Sequence, residues 1–258
     1  MSGDLRVIYE DDDLLVCHKK AGMATEGAAA GRMDLVSAAR NYLARRDRGN
    51  NSGRQRNLPP YVATVNRLDQ PVEGVIVLAR NKKAASELAR QIKEKKADKY
   101  YYALCYGSLT DDEGSLSDFI IRREDNKLAQ ILSESEKNSL RDGAVTLESG
   151  EKVRLIGGEI KSALLEYRVI ARTAETTLLR VHLLTGRFHQ IRAQLSHLGY
   201  PILGDDRYAS KESREFSEQK GVRSVCLAAF SYSFHHPSTG KRTTFEITPD
   251  NLFIRELL

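Results

Sequence analysis

Four short polar constellations in this chain have residue types and spacing suited to chemistry. In Asn66-Arg67-Leu68-Asp69-Gln70 a cation stands two residues before a carboxylate, between two apolar runs. A carboxylate on a turn that faces a cleft is partly desolvated and can act as nucleophile or base. An isolated Arg-x-Asp is more often a turn-stabilising aspartate beside a surface arginine. In Lys99-Tyr100-Tyr101-Tyr102, strand alternation sends Tyr101 to one face and its neighbours to the other, which serves a site or ordinary packing equally. Thr185-Gly186-Arg187-Phe188-His189-Gln190-Ile191-Arg192 gathers two arginines and a glutamine at one helix start, where backbone N–H groups favour anions. Gly199-Tyr200-Pro201-Ile202-Leu203-Gly204-Asp205 reads by itself as a turn.

Other site types drop out. Ser238-Thr239-Gly240-Lys241 ends like a phosphate loop, but His235 stands where the first glycine is needed and Arg242 follows the lysine. His182, His189 and His197 are seven and eight residues apart, with no cysteine or carboxylate at ligand spacing, so no metal site is expected. No Gly-x-Ser-x-Gly elbow occurs.

The elements that must position these groups follow from periodicity. Residues 6–9 and 13–17 read as paired strands around the acidic turn 10–12. Residues 34–46 carry apolar positions at helical spacing, and 47–60, almost without apolar residues, read as an exposed, mobile basic loop. Residues 61–65 and 74–79 are buried-strand patterns flanking Asp69. Asn81 caps a helix over 82–97 with Ala85, Leu88 and Ile92 as its apolar stripe. Strands are expected at 99–107 and within 115–133 and 152–184, a loop at 134–151, a short helix over 188–199, and a closing hairpin around Pro237-Ser238-Thr239-Gly240-Lys241. The fold class is α+β, mixed α/β with a largely antiparallel sheet flanked by helices.

Taken together and in order, the four constellations resemble the RluA-like family of RNA pseudouridine synthases. That family shows a strand-flanked Arg-Leu-Asp motif, a Lys-x-Tyr strand, a Gly-Arg-x-His-Gln-Ile-Arg helix start and a Gly-x-Pro-Ile-x-Gly-Asp turn. The opening Val7–Thr25 and the closing Leu227–Lys241 also look like that family, so the likeness runs from about residue 6 to 248. It implies one catalytic domain over 1–258, with an active-site cleft for RNA and no separate S4 domain. It also implies a cofactor-free isomerase that cleaves the N1–C1′ bond of a uridine in rRNA or tRNA, rotates the uracil and rejoins it through C5. Asp69 matches the catalytic aspartate, Tyr101 the tyrosine under the flipped base, and Arg192 the arginine that pairs with the aspartate. Flipping exposes a base that stacking would hide, and a cation beside a buried carboxylate keeps it ionised. Arg67 is placed to meet the displaced phosphate or fill the vacated stack. Arg187, His189 and Gln190 are expected to face RNA, and Ile191 and Leu195 to form apolar walls. Three positions depart from the family pattern: Asn66 replaces the usual His, Val72-Glu73 the usual Thr-Ser, and Lys19-Lys20 the usual Lys-Pro.

Charge agrees with an RNA partner. The net +5 comes from residues 32–56 and 80–99, each +5, on a remainder of −5. Such segments attract polyanions, and Arg45, Arg46 and Arg48 are expected to line the RNA track. No apolar run reaches the roughly 18–20 residues of a membrane span. The acidic start lacks a signal-peptide pattern, and Cys17, Cys105 and Cys226 lie singly in apolar runs, so a cytoplasmic monomer is expected. A non-catalytic RNA-binding or RNA-chaperone protein is the alternative, motivated by the altered residues around Asp69. A nucleoside-processing enzyme would not need the basic segments.

Overall fold

The computed structural model describes residues 5–50 and 59–258, with 47–50 by backbone alone. In chain order the elements are β1 (Arg6–Glu10), β2 (Leu14–Lys19), α1 (Leu35–Asn50), β3 (Ala63–Thr64), β4 (Glu73–Ala79), α2 (Lys82–Lys93), β5 (Asp98–Tyr106), β6 (Glu113–Arg122) and β7 (Ala129–Leu132). They continue with α3 (Glu134–Asn138), β8 (Ala144–Thr146), β9 (Lys152–Arg154), β10 (Lys161–Arg172), β11 (Thr176–Leu183), α4 (Gln190–His197), α5 (Lys211–Gln219), β12 (Leu227–His235), β13 (Arg242–Glu246) and α6 (Leu252–Arg255). Contacts divide the chain into two compact units: Met1–Tyr100 with Ala228–Leu252, and Tyr101–Leu227 with Phe253–Leu258.

In the first unit β2 and β4 pair antiparallel and are buried along their whole lengths, as the apolar runs Leu14–Cys17 and Val75–Ala79 lead one to expect. β1 pairs antiparallel with β2, β3 with β4 and β13 with β12, while β12 runs parallel to β4. That parallel contact is close: at φ +145°, a Cβ on Gly74 would lie 2.5 Å from the Ala229 backbone oxygen. Leu14, Val16, Val75, Val77, Leu88 and Phe234 lie at the centre of this core.

In the second unit β10 pairs antiparallel with β11 and β6, and β6 with β7. Ala193 of α4 packs into a cluster with Ile120, Ala129, Ile131 and Ala163. A separate cluster, including Ile121, Leu132, Val145 and Val153, is built around the β8–β9 pair. The α+β class with a mostly antiparallel mixed sheet is as expected.

Several boundaries differ. The helix expected to end at 46 runs to Asn50, so the first residues of the proposed 47–60 loop are helical; 51–58 lie outside the described residues. The strand expected at 61–65 shrinks to Ala63–Thr64, because the chain turns at Val65 and Asn66. α2 stops at Lys93, since Lys95 takes a left-handed conformation (φ 56°). Its buried face is Ala84, Leu88 and Gln91 rather than Ala85, Leu88 and Ile92, because the Gln91 amide bonds both the carbonyl and the N–H of His235. The polar stretch 134–151 contains α3 and β8; a capping box between Ser133 and Glu136 starts that helix.

Candidate active site

Asp69 lies in the first unit, on a turn held from several sides. Asn66 donates from Nδ2 to the Val75 carbonyl (3.2 Å) and accepts the Val77 N–H at Oδ1 (2.9 Å), fastening the turn to β4. Thr25 Oγ1 donates to the Leu68 carbonyl at 2.9 Å and accepts the Leu68 N–H at 3.3 Å. The Asp69 carbonyl accepts the Val72 N–H (3.0 Å), and the Gln70 carbonyl accepts the Gly22 N–H (2.9 Å). Beneath the turn lies Lys19, 0% exposed at the end of β2. Its Nζ donates to the carbonyls of Met23 (2.6 Å), Gln70 (3.1 Å) and Lys20 (3.2 Å).

Burial pulls the Lys19 ammonium down to about 8, against the opposing pull of Asp69 and Glu73. The same attraction acts on the Asp69 carboxylate, which is half-buried on this rigid turn. Arg67 is 74% exposed, with Nη1 3.4 Å from Glu26. Of the arginines ahead of the turn, Arg45 is exposed, Arg46 is ion-paired with Glu10, and Arg48 lies in the part of α1 described by backbone alone.

Glu73, one of the departures from the family pattern, is buried and accepts the N–H groups of Asp250 and Asn251, each at 2.9 Å. His18 Nε2 lies 3.4 Å from it, and Asp250 holds Arg6 at 2.6 Å. The donor atoms of His18, Glu73 and Asp250 fall within 4.8 Å of one another, as metal ligands would. Their oxygens already serve these partners, so the trio acts as a clasp on the segment after β13.

The other expected groups belong to the second unit. Tyr101 is buried on β5, with Tyr100 and Tyr102 less so, as alternation requires. The head of α4 is set by His189, which takes a left-handed conformation (φ 51°, ψ 26°) at the N-cap and gives no side-chain cap. Gln190 supplies the fastening instead. Its Oε1 accepts from Thr185 Oγ1 (2.8 Å) and the Arg187 N–H (3.0 Å), and its Nε2 donates to the Leu164 carbonyl (3.1 Å) and Gln194 Oε1 (3.0 Å). Gln190 was expected to face RNA, but its amide is fully engaged inside the unit. Ile191 and Leu195 are buried, and Arg187 Nε donates to the Ser162 carbonyl at 2.9 Å.

Arg192 is 3% exposed and forms a two-point pair with Asp205, itself 1% exposed: Nε to Oδ2 at 2.6 Å and Nη2 to Oδ1 at 2.7 Å. The turn carrying Asp205 needs glycine before it, because a Cβ on Gly204 (φ +72°) would meet the Ser224 carbonyl oxygen at 2.2 Å. The Arg192 guanidinium also lies 5.1 Å from the centre of the Tyr208 ring. Tyr208 accepts the Ala129 N–H at its hydroxyl (2.8 Å), and the same hydroxyl is hydrogen-bonded with His189 Nδ1 at 2.9 Å. Burial first, then Arg192 and Arg207, push the His189 imidazole down to about 3, which keeps it neutral at pH 7.

Sequence reasoning missed Lys19, Asp205, Tyr208 and Glu73 as structural partners of the site. A signal existed for Lys19, a lysine close behind the apolar run Leu14–Cys17. None existed for Tyr208, whose partner Ala129 is 79 residues away.

The family model described as RNA pseudouridylate synthase matches residues 13–197, a span containing Asp69, Tyr101 and Arg192. An uncharacterized RNA pseudouridine synthase of Aquifex aeolicus is 32% identical over 96% of this chain and 71% of its own length. Ribosomal large subunit pseudouridine synthase C of Vibrio cholerae is 26% identical over 92% of this chain and 63% of its own length. The chain thus spans about two thirds of these curated relatives. Among solved structures, human RNA pseudouridylate synthase domain containing 4 superposes with a TM-score of 0.70 at 20% identity, covering 97% of this chain and 90% of that one, a likeness of fold. The family model and the relatives agree along most of the sequence, and the chain is a member of the RNA pseudouridylate synthase family, in its RluA-like branch.

Proposed function

We propose that this protein isomerises uridine to pseudouridine within RNA, with Asp69 as the catalytic carboxylate, Tyr101 beneath the flipped base and Arg192 as the cation that serves the aspartate. The observation that carries this reading is the family match over residues 13–197, which contains all three groups in motif order. The reaction breaks N1–C1′ and forms C5–C1′, moving one proton from C5 to N1, so no redox partner or group donor enters the balance. Every group it asks for is one a protein side chain supplies. A carboxylate on a rigid turn can act as nucleophile or base, and a phenol can carry the C5 proton.

Lys19 supports the role of Asp69, since a buried ammonium acting on this carboxylate favours its anion. The substrate is rRNA or tRNA. Relatives whose names refer to the ribosomal large subunit make large-subunit rRNA the first target to examine. Arg45, and Arg46 when released from Glu10, would add sequence-independent affinity for phosphates, and Arg48 would extend that track.

The test is a map of pseudouridines in total RNA from cells lacking the gene, complemented with wild type or with Asp69→Asn. Wild type restores the missing sites; Asp69→Asn, with an unchanged melting temperature, restores none, as expected when a group worth about 10²–10⁴-fold or more is removed. Full modification by that variant would remove Asp69 from the mechanism.

A further inference from the structure

At the head of α4, near Arg192, stands a column of flat groups that the proposed chemistry does not use. The Phe188 and His189 rings stack with centroids 3.7 Å apart and planes 18° from parallel. The Arg122 guanidinium lies 4.1 Å from the centre of the Phe188 ring. Two flat groups this near one ring cannot share a face, so Phe188 is the middle layer, with His189 on one side and Arg122 on the other. The inner end is anchored. His189 is buried, bonded to the Tyr208 hydroxyl at 2.9 Å, and met edge-on by the Tyr208 ring at 5.6 Å. The outer end is open: Phe188 is half-buried, and Arg122, the last residue of β6, is exposed.

The charge around this column is mostly cationic: the carboxylate of Asp205 also acts on His189, but it is bound to Arg192. Arg192, Arg207 and Arg122 all act on the His189 ring. Among the described residues no carboxylate pairs with Arg122, Arg187 or Arg207. The adjacent Arg123 shows the contrast, held by Asp125 and by Glu151, each at 2.6 Å. One arginine of the neighbouring two is neutralised in place, while the other sits over an aromatic ring with no carboxylate paired to it among the described residues.

An anchored stack ending in an exposed guanidinium plane, bordered by unmatched cations, has the chemistry that unpaired RNA recognises: bases stack on aromatic and guanidinium planes while phosphates meet arginines. We propose that Arg122 and Phe188 form a stacking seat for an unpaired nucleobase of the RNA substrate, laid on the outer face of Arg122, with its phosphates meeting Arg187 and Arg207. This rests on the reading that the protein acts on RNA. It adds to that reading a place for a nucleotide other than the one isomerised. Phe188 occupies the variable position of the Gly-Arg-x-His-Gln-Ile-Arg motif, so the seat is a feature of this chain rather than of the motif.

The test uses the full chain carrying Asp69→Asn, so that binding is read without turnover. A fluorescent decauridylate and a decamer of abasic ribose phosphates, equal in charge, are titrated by anisotropy. The parent binds the base-bearing strand more tightly; Phe188→Leu, which keeps an apolar side chain against the cluster that includes Ala193, and Arg122→Gln each lower that affinity roughly tenfold, within the range expected of one stacked base. Both leave affinity for the abasic strand within about twofold after Phe188→Leu and lower it only by the loss of one charge after Arg122→Gln. If Phe188→Leu melts early, exposed Arg122→Gln decides the matter. Equal affinity of the parent for both strands, no binding of decauridylate, or unchanged discrimination in the folded variants overturns the seat. Failure of the isomerase reading would appear instead as absent pseudouridine in the cellular map with base-dependent binding intact.

Discussion

Lys19 in the first unit and Arg192 in the second are both buried cations in segments that carry proposed catalytic groups, but they are held by different means. Lys19 is caged by three backbone carbonyls, which satisfy its N–H groups without matching its charge. Arg192 grips the carboxylate of Asp205 through two parallel bonds. A carbonyl cage leaves the ammonium's field to act outward on Asp69 and Glu73, and it leaves the lysine able to lose its proton near pH 8. A guanidinium bound to a carboxylate does not titrate, and its plane is fixed in direction. The first arrangement tunes a neighbouring group; the second aims one.

The largest expected difference between the two regions is in stability. Asp205→Ala leaves a buried guanidinium without that carboxylate and should cost about 3–5 kcal/mol, whereas Lys19→Met leaves carbonyls short of a donor and should cost about 1–3 kcal/mol. Urea unfolding of the two variants measures this directly. Equal losses would mean that Asp205 holds Arg192 no more firmly than carbonyls hold Lys19.

Next comes the alkaline limb of activity. The folded Lys19 sits near 8 against an ordinary 10.5, so between these values the unfolded chain carries the extra proton, and stability rises with pH. Activity should move the opposite way, falling above pH 8 as Asp69 loses its neighbouring cation. A pH profile of turnover that stays flat to pH 10, in protein that remains folded, would remove Lys19 from the electrostatics of the site.

The smallest effect lies at the acid end and belongs to the second unit. His189 is held near 3 against an ordinary 6.5, so the unfolded chain binds the extra proton between them and stability drops as pH falls through that window. His189→Asn should lose about 2–2.5 kcal/mol less than wild type between neutral pH and pH 4.5, read from paired unfolding curves. An identical loss in both proteins would show that His189 does not report the arginines around it.

Much of this was legible in the chain itself because it rests on local pattern. β2 and β4 are built on the apolar runs Leu14–Cys17 and Val75–Ala79, α2 opens on an asparagine cap at Asn81, and Gly199 ends the α4 helix at φ +94°. The order of the Arg-Leu-Asp, Lys-x-Tyr and Gly-Arg-x-His-Gln-Ile-Arg motifs pointed to the family. Features set by distant partners were not legible. The buried face of α2 is rotated by a bond from Gln91 to His235, 144 residues away. Arg46, one of a run of arginines, is engaged by Glu10. Gln190 looked like an RNA-facing amide and turned inward because four polar partners surround it.

Sequence by itself determined which residue types are present, where the strongly periodic strands and helices fall, and the family to which the chain belongs, because periodicity and motif order are written within short windows. Tertiary structure alone decided that Lys19 is buried under the Asp69 turn, that Asp205 is a carboxylate for Arg192, and that burial beside Arg192 and Arg207 keeps His189 neutral. The charge state and orientation of a buried group depend on the partners that folding brings within about 3 Å, and those partners can come from any point along the chain.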